Sequence, residues 1–117
     1  MASKEFNEDQ TRALRSVMTW MEAFKEVRPT MPLQHAYTFL LVALEEGLGV
    51  NEYAERANVA QTVMTRHLLD IGMQTRSREP GLGLVMQKTN PLDMRQHQAF
   101  LTPKGKALLH KIVRAAK

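Results

Sequence analysis

The stretch NEYAERANVAQTVMTRHLLDI, residues 51–71, decides the fold. It reads as two helices, residues 51–57 and 61–71, joined by the tight link Asn58-Val59-Ala60. Asn51 is a candidate N-cap, because its side-chain oxygen can accept a hydrogen bond from a free N–H of the first turn. Asn58 stands where the first helix must stop, and asparagine tolerates a left-handed backbone better than most residues. In the second helix Met64, Leu68 and Ile71 fall at i, i+4 and i+7 and make one inward stripe. The opposite face carries Gln61, Thr62, Thr65 and Arg66. Short polar groups with one cation suit a surface that enters a DNA major groove and meets base edges and phosphates. An ordinary amphipathic helix with a solvated face has the same pattern, so this segment alone leaves both readings open.

Toward the C-terminus, residues 84–88 (LVMQK) read as a short strand, 89–95 (TNPLDMR) as a turn and 97–101 (HQAFL) as a returning strand. Thr102 as N-cap and Pro103 at the first helical position then open a last helix. Its apolar face is Leu108, Leu109, Ile112 and Val113, and Lys111, Arg114 and Lys117 complement the dipole near its end. Toward the N-terminus, a helix is expected from Phe6 to about Val27, with Asn7 as cap and Glu8 and Asp9 in the first turn. Leu14, Val17, Met18, Met21 and Phe24 make a stripe at helical spacing, widened by Trp20. Arg28-Pro-Thr-Met-Pro32 ends it, since each proline disfavours the helical state in the residue before it. A second helix is expected to begin at Pro32, to turn Leu33, Tyr37, Leu40, Leu41 and Leu44 inward and to stop at Gly47. It is more apolar all round than the first, which places it centrally. Gly49-Val50 is a candidate very short strand beside the hairpin.

Helix, turn, helix, β-hairpin, helix is the order of a winged helix-turn-helix, mostly α with a small β-hairpin wing. With that order, the chain resembles the MarR family of bacterial transcription regulators. The residues that carry the resemblance are EYAER (52–56) with NVAQ (58–61) and Thr65-Arg66, Asp93-x-Arg95 in the wing, and FLTPKG (100–105). It covers most of the chain from about Met31 onward. The resemblance implies one domain over 1–117: an N-terminal dimerisation helix in 1–30, a DNA-binding core in 31–102 with the wing at 84–101, and a C-terminal helix in 103–117. It implies a sequence-specific regulator, a repressor, bound as a homodimer to a pseudo-palindromic double-stranded operator. Gln61, Thr62, Val63, Thr65, Arg66, Arg76, Arg78, Lys88, Asp93 and Arg95 are then the DNA-binding candidates. In the resembled family a wing arginine at the place of Arg95 enters the minor groove and the nearby aspartate holds it. Leu14, Val17, Met18, Met21 and Phe24 with Leu109, Ile112 and Val113 are the dimerisation candidates, because a one-domain protein has little reason to expose them together.

Two features depart from the family pattern. Residues 72–83 (GMQTRSREPGLG) make a longer link before the wing than most members carry. Arg76 and Arg78 in it can reach phosphates or solvate a loop. Gly81-x-Gly83 is not a nucleotide-binding fingerprint, as no strand precedes it and no third glycine follows. The last helix is also shorter than the C-terminal helices from which many members build their dimer, which leaves the dimer geometry and any small-molecule effector open.

The 117 residues fit one domain, and 44% hydrophobic content argues against wholesale disorder. The chain has no cysteine, which excludes disulfides, thiolate metal sites and cysteine-based redox sensing. No apolar run is long enough to span a bilayer, and MASKEF at the N-terminus is not a signal peptide, so a cytoplasmic protein without membrane contact is expected, and the resemblance implies that it is nucleoid-associated. Residues 1–57 hold six Lys/Arg and nine Asp/Glu, net −3; residues 58–117 hold ten and three, net +7. The positive half begins at the proposed recognition helix, where a polyanion would be attracted.

No active site, metal site or cofactor is expected. His35, His67, His97 and His110 are scattered without the spacing of a metal motif, and His67 is expected to be a packed or backbone-bonded side chain. Glu45-Glu46 and Glu52/Glu55 read as solvated helix faces, and the eight methionines as core filler or the lining of an adaptable pocket. The rival to a DNA-binding regulator is a winged-helix adaptor that binds protein instead. Val63 and Leu69, near the outer face of the recognition helix, favour it, although Val63 also suits a thymine methyl.

Overall fold

The Asn7 side chain accepts a hydrogen bond from the Gln10 N–H at 2.8 Å, and the Gln10 side chain accepts one from the Asn7 N–H at 2.9 Å. This reciprocal cap starts α1 (Glu8–Val27). The computed structural model describes residues 7–116; Phe6, Lys117 and the first residues weighed as a signal peptide lie outside the described part. The further elements are α2 (Leu33–Leu44), α3 (Val50–Ala57), α4 (Gln61–Asp70), β1 (Val85–Asn90), β2 (Asp93–Leu101) and α5 (Pro103–Ala116). The order is that of a winged helix-turn-helix. No helix among the described residues is long and apolar enough to cross a membrane.

Several helix ends follow local chemistry. Asn58 caps α3 in the left-handed region, at φ 55 and ψ 48. Gly47, at φ 89, stands just past the end of α2. The Thr102 hydroxyl accepts from the Gly105 N–H at 3.0 Å and donates to the Gly83 carbonyl, capping α5 while tying it to the preceding loop. Two caps differ from expectation. Pro32 is the extended N-cap of α2 rather than its first helical residue. Helix α3 begins before Asn51, because Gly49 takes the cap position and its N–H donates to the Glu52 carboxylate at 3.0 Å.

The larger correction concerns the inner face of α2. His35, Ala36, Thr38, Phe39 and Val42 are buried, whereas Leu33 and Leu44 are 75% and 81% exposed and Tyr37 is exposed. A helix apolar all round has no preferred face in its own sequence, so its packing partners choose. Here Trp20, Phe24 and Phe39 choose it: Trp20 meets Phe24 edge-to-face at 6.1 Å, and Phe24 meets Phe39 likewise at 5.9 Å. The core continues through Tyr53, Met64, Leu68, Ile71, Leu84, Val85 and Leu101. The expected stripe of Met64, Leu68 and Ile71 is thus fully inward.

Strands β1 and β2 form an antiparallel hairpin with Val85 opposite Leu101 and Thr89 opposite His97. The strands are longer and the turn shorter than the sequence predicts, and only Pro91 and Leu92 lie between the strands. No strand forms at Gly49-Val50. Instead Gly47 donates to the Ala99 carbonyl at 2.8 Å and Ala99 donates to the Leu48 carbonyl at 3.2 Å, so the chain pairs with β2 just upstream of that dipeptide.

Helices α1 and α5 pack on each other, joined at the rim by Lys111 and Glu26 at 3.0 Å. Phe24 and Ile112, expected at a dimer interface, are 4% and 7% exposed and therefore belong to the chain's own core. Leu14, Val17, Met18, Met21 and Val113 remain exposed and Leu109 is half-buried. The molecule measures 56 × 26 × 24 Å with a radius of gyration of 16.1 Å. A compact domain of about 100 residues has a radius near 13 Å, so α1 and α5 project from the winged core and leave that apolar stripe uncovered.

Gly105 sets how closely α5 approaches the chain. A Cβ there would lie 2.1 Å from the Leu84 carbonyl oxygen, a backbone atom that a rotamer change cannot move aside. Gly105→Ala is therefore expected to destabilise the fold by about 1–3 kcal/mol, as overpacked cores do. Urea unfolding monitored by circular dichroism measures this; an unchanged midpoint would refute the close approach.

Candidate nucleic-acid interface

A cleft of about 300 Å³ separates α4 from the wing. The N-terminal turn of α3 (Val50, Asn51, Glu52) closes one end, α4 contributes Gln61, Thr65 and Leu68, and the wing contributes Gln87, Arg95, Gln96 and His97. Gln61, Thr65 and Arg95, singled out in the sequence, thus converge on one concave surface. Gln87, Gln96 and His97 were missed; their signal is a polar run on paired strands, visible only once the register is known.

Thr62 and Arg66 are exposed on α4 outside the cleft, and Val63 beside them is 41% exposed. The Thr65 hydroxyl donates to the Gln61 carbonyl at 2.9 Å, so its proton serves the helix and its oxygen is left to accept. Arg66, Arg76 and Arg78 are exposed, and among the described residues none forms an ion pair. Lys88 lies over the Phe100 ring at 5.3 Å, which occupies its ammonium on the wing's own sheet.

The 72–83 link is a small self-bonded loop. Thr75 donates to the Glu79 carbonyl at 2.7 Å, Arg78 donates to the Thr75 carbonyl at 3.0 Å, and the Gln74 side chain donates to the Arg78 carbonyl at 3.1 Å. Arg78 adopts φ 64, and Gly81 lies so close to Gly72 that a Cβ would overlap the Gly72 carbonyl oxygen. The loop base, Gly72 to Thr75, lines a second concavity of about 530 Å³ shared with Thr65, Met86 and His97.

At the wing, Asn90 pairs with Asp93 whereas Thr89 pairs with His97, which leaves Met94, Arg95 and Gln96 without partners opposite. Such a bulge re-aims side chains away from the ladder. The Asp93 carboxylate accepts the Arg95 backbone N–H at 3.1 Å and stands 3.6 Å from Arg95 Nε. Asp93 thus shapes the backbone and holds the guanidinium by a single loose contact. The Arg95 side chain is 93% exposed.

Two buried groups support this surface from behind. The Tyr53 hydroxyl donates to the Glu45 carbonyl at 2.6 Å and accepts from the Leu48 N–H at 3.3 Å; burial raises its pKa. His35 on α2 meets Asp70 of α4 at 3.3 Å and the His67 ring at a centroid distance of 5.4 Å. Burial lowers the His35 pKa, opposed by the Asp70 charge. The sequence treats these histidines as scattered, and the fold brings two of them together.

No known family's model and no curated protein matches the sequence. Solved structures do match. A MarR-like transcriptional regulator from Thermotoga maritima is 24% identical, over 95% of this chain and 76% of its own, with a TM-score of 0.61. The YusO protein from Bacillus subtilis is 16% identical over 92% and 69%, with a TM-score of 0.62. The transcriptional repressor CouR, bound to a 23-mer DNA duplex, is 23% identical over 91% and 68%, with a TM-score of 0.55. The fold is the winged helix-turn-helix of these structures.

Because the Asp93–Arg95 pair is exposed and loose, it contributes little to stability. Arg95→Ala is expected to leave the melting temperature and circular dichroism spectrum unchanged. A clear drop in melting temperature would show that the arginine closes the turn.

Proposed function

We propose that this winged helix-turn-helix chain is a MarR-type transcription regulator, a repressor that binds a pseudo-palindromic DNA duplex as a homodimer. Helix α4 enters the major groove and the wing reaches the adjacent minor groove. The observation that carries this reading is the convergence of Gln61, Thr65 and Arg95 on one cleft, in a structure that also exposes the cations Arg66, Arg76 and Arg78. The net +7 of residues 58–117 supplies attraction for phosphates. Gln61 and Thr62 suit base edges, and Val63 suits a thymine methyl. Arg95 is planar, always charged and weakly hydrated, which suits a narrow A·T-rich minor groove. Asp93 and Lys88 act through the wing: Asp93 sets the backbone at Arg95, and Lys88 can leave Phe100 for a phosphate.

The exposed stripe Leu14, Val17, Met18, Met21 and Val113, with Leu109 at its margin, is assigned to the partner subunit. It lies on the projecting helices, and a two-fold isologous contact covers both copies at once. A second reading has specific support. Leu92 and Met94 at the wing are 96% and 73% exposed, the kind of apolar surface a protein-binding adaptor presents.

Salt dependence separates the readings. Affinity for duplex DNA is expected to fall linearly on a log–log salt plot, with a slope set by the phosphates contacted. Retention of genomic fragments, followed by titration of the enriched site at one salt concentration, supplies the operator. Arg95→Ala should then lose affinity most at A·T-rich flanks, and alanine at Gln61 or Thr62 should relax specificity by roughly 1–3 kcal/mol per good contact. Duplex binding that is absent at low salt would replace the regulator with the adaptor.

Oligomeric state tests the stripe. The wild type is expected to sediment as a dimer, and Met18→Glu, which places a charge in the stripe's centre, as a folded monomer. A dimeric Met18→Glu would move the interface elsewhere.

A further inference from the structure

His67 and Asp70 stand at i and i+3 on α4, so their side chains share one face. That face meets His35 of α2, and one ligand atom from each of the three residues lies within 4.8 Å of the others. The His35 Nε2–Asp70 Oδ2 contact at 3.3 Å accounts for one imidazole nitrogen. Among the described residues, Nδ1 of His35 and Nδ1 of His67 are buried without a hydrogen-bond partner. A buried unpaired polar atom costs free energy, and the Asp70 carboxylate, which meets His35 through Nε2, satisfies neither of these two.

We infer that His35, His67 and Asp70 form a binding site for a divalent transition-metal ion of the Zn²⁺ class. Two imidazoles and one carboxylate are the donor set of that class, whereas Mg²⁺ and Ca²⁺ prefer oxygen alone. Ligand bonds of about 2.0–2.2 Å put donor atoms around a tetrahedral ion roughly 3.3 Å apart. No gap therefore has to close by more than about 1.5 Å, within reach of side-chain rotation. Three protein donors leave a fourth position for water. His67 and Asp70 are half-buried, which opens a route from solvent, and His67 also borders a cleft of about 210 Å³ between α2 and the helix-turn-helix. Arg28, the nearby cation, is exposed at the end of α1. The ion ties α2 to α4, so its binding stabilises the seat of the helix that carries Gln61 and Arg66. The site itself does not depend on whether that helix reads DNA.

The test uses the untagged full chain and Co²⁺ as a spectroscopic probe. Co²⁺ is expected to give the visible ligand-field absorption of a four-coordinate site, saturating at one ion per chain and bleached by Zn²⁺. Zn²⁺ should raise the melting temperature, since a ligand that binds only the folded state stabilises it. Asp70→Asn and His67→Gln should weaken both effects roughly tenfold or more. His97→Gln and His110→Gln, which remove exposed histidines elsewhere, should retain them. Asp70 is partly exposed, so Asp70→Asn carries the test if His67→Gln fails to fold. A wild type without absorption or thermal shift overturns the site, as does equal affinity in Asp70→Asn or loss of binding in the His97 or His110 variant.

Discussion

The buried hydroxyl of Tyr53 is the constraint on which the rest of the structure depends. Its ring is fully buried, yet its oxygen satisfies both the carbonyl of Glu45 at the end of α2 and the N–H of Leu48. The turn between α2 and α3 thereby gains an internal partner for two partly buried backbone groups. The same turn pairs with Ala99 of β2 and accepts the Gln98 side chain at the Gly47 carbonyl, 2.9 Å away. Glu46 adds a hydrogen bond from the Leu101 N–H at 2.7 Å, and Arg56 clasps Glu45 at 2.7 Å. Tyr53 thus holds the turn whose own bonds to β2 join α3 to the wing, on one side of the cleft between α4 and Arg95.

Rigidity and exposure are divided along the molecule. The winged core is held by close backbone approaches at Gly72, Gly81 and Gly105, each intolerant of a side chain. The exposed cations sit on the surface of that core, on a helix, a self-bonded loop and a bulged strand. Among the described residues Arg66, Arg76 and Arg78 form no ion pair and Arg95 only a loose one, which keeps their charge available. The projecting α1 and α5 make the opposite division. Their mutual packing consumes Phe24 and Ile112, and the residues left over are apolar and wet.

Helix α4 links these two regimes. Its inner stripe is locked by Met64 and Leu68, its outer face is polar, and its flank meets α2 through His67 and Asp70. Any ligand that alters the His35–His67–Asp70 contact acts on the seat of the outer face, because the three faces belong to one ten-residue helix.

The sequence by itself determined what a few neighbouring residues decide. The caps at Asn7, Asn58 and Thr102, the inward stripe of α4, the hairpin after the long link and the uneven charge are local patterns, each written within a turn or two of chain. The two strands of the hairpin were drawn too short, because Asn90 and Asp93 flank Pro91 and Leu92, a pair that reads as loop until the opposite strand supplies its register. Only the tertiary structure decided which side of α2 faces inward, since an all-apolar helix takes its orientation from Phe24 and Trp20 of another helix. Only it could withdraw Phe24 and Ile112 from the free surface, by packing α1 on α5. It alone joined His35 to His67 and Asp70, and Arg95 to Gln61, because residues distant in the chain meet only when the core between them has closed.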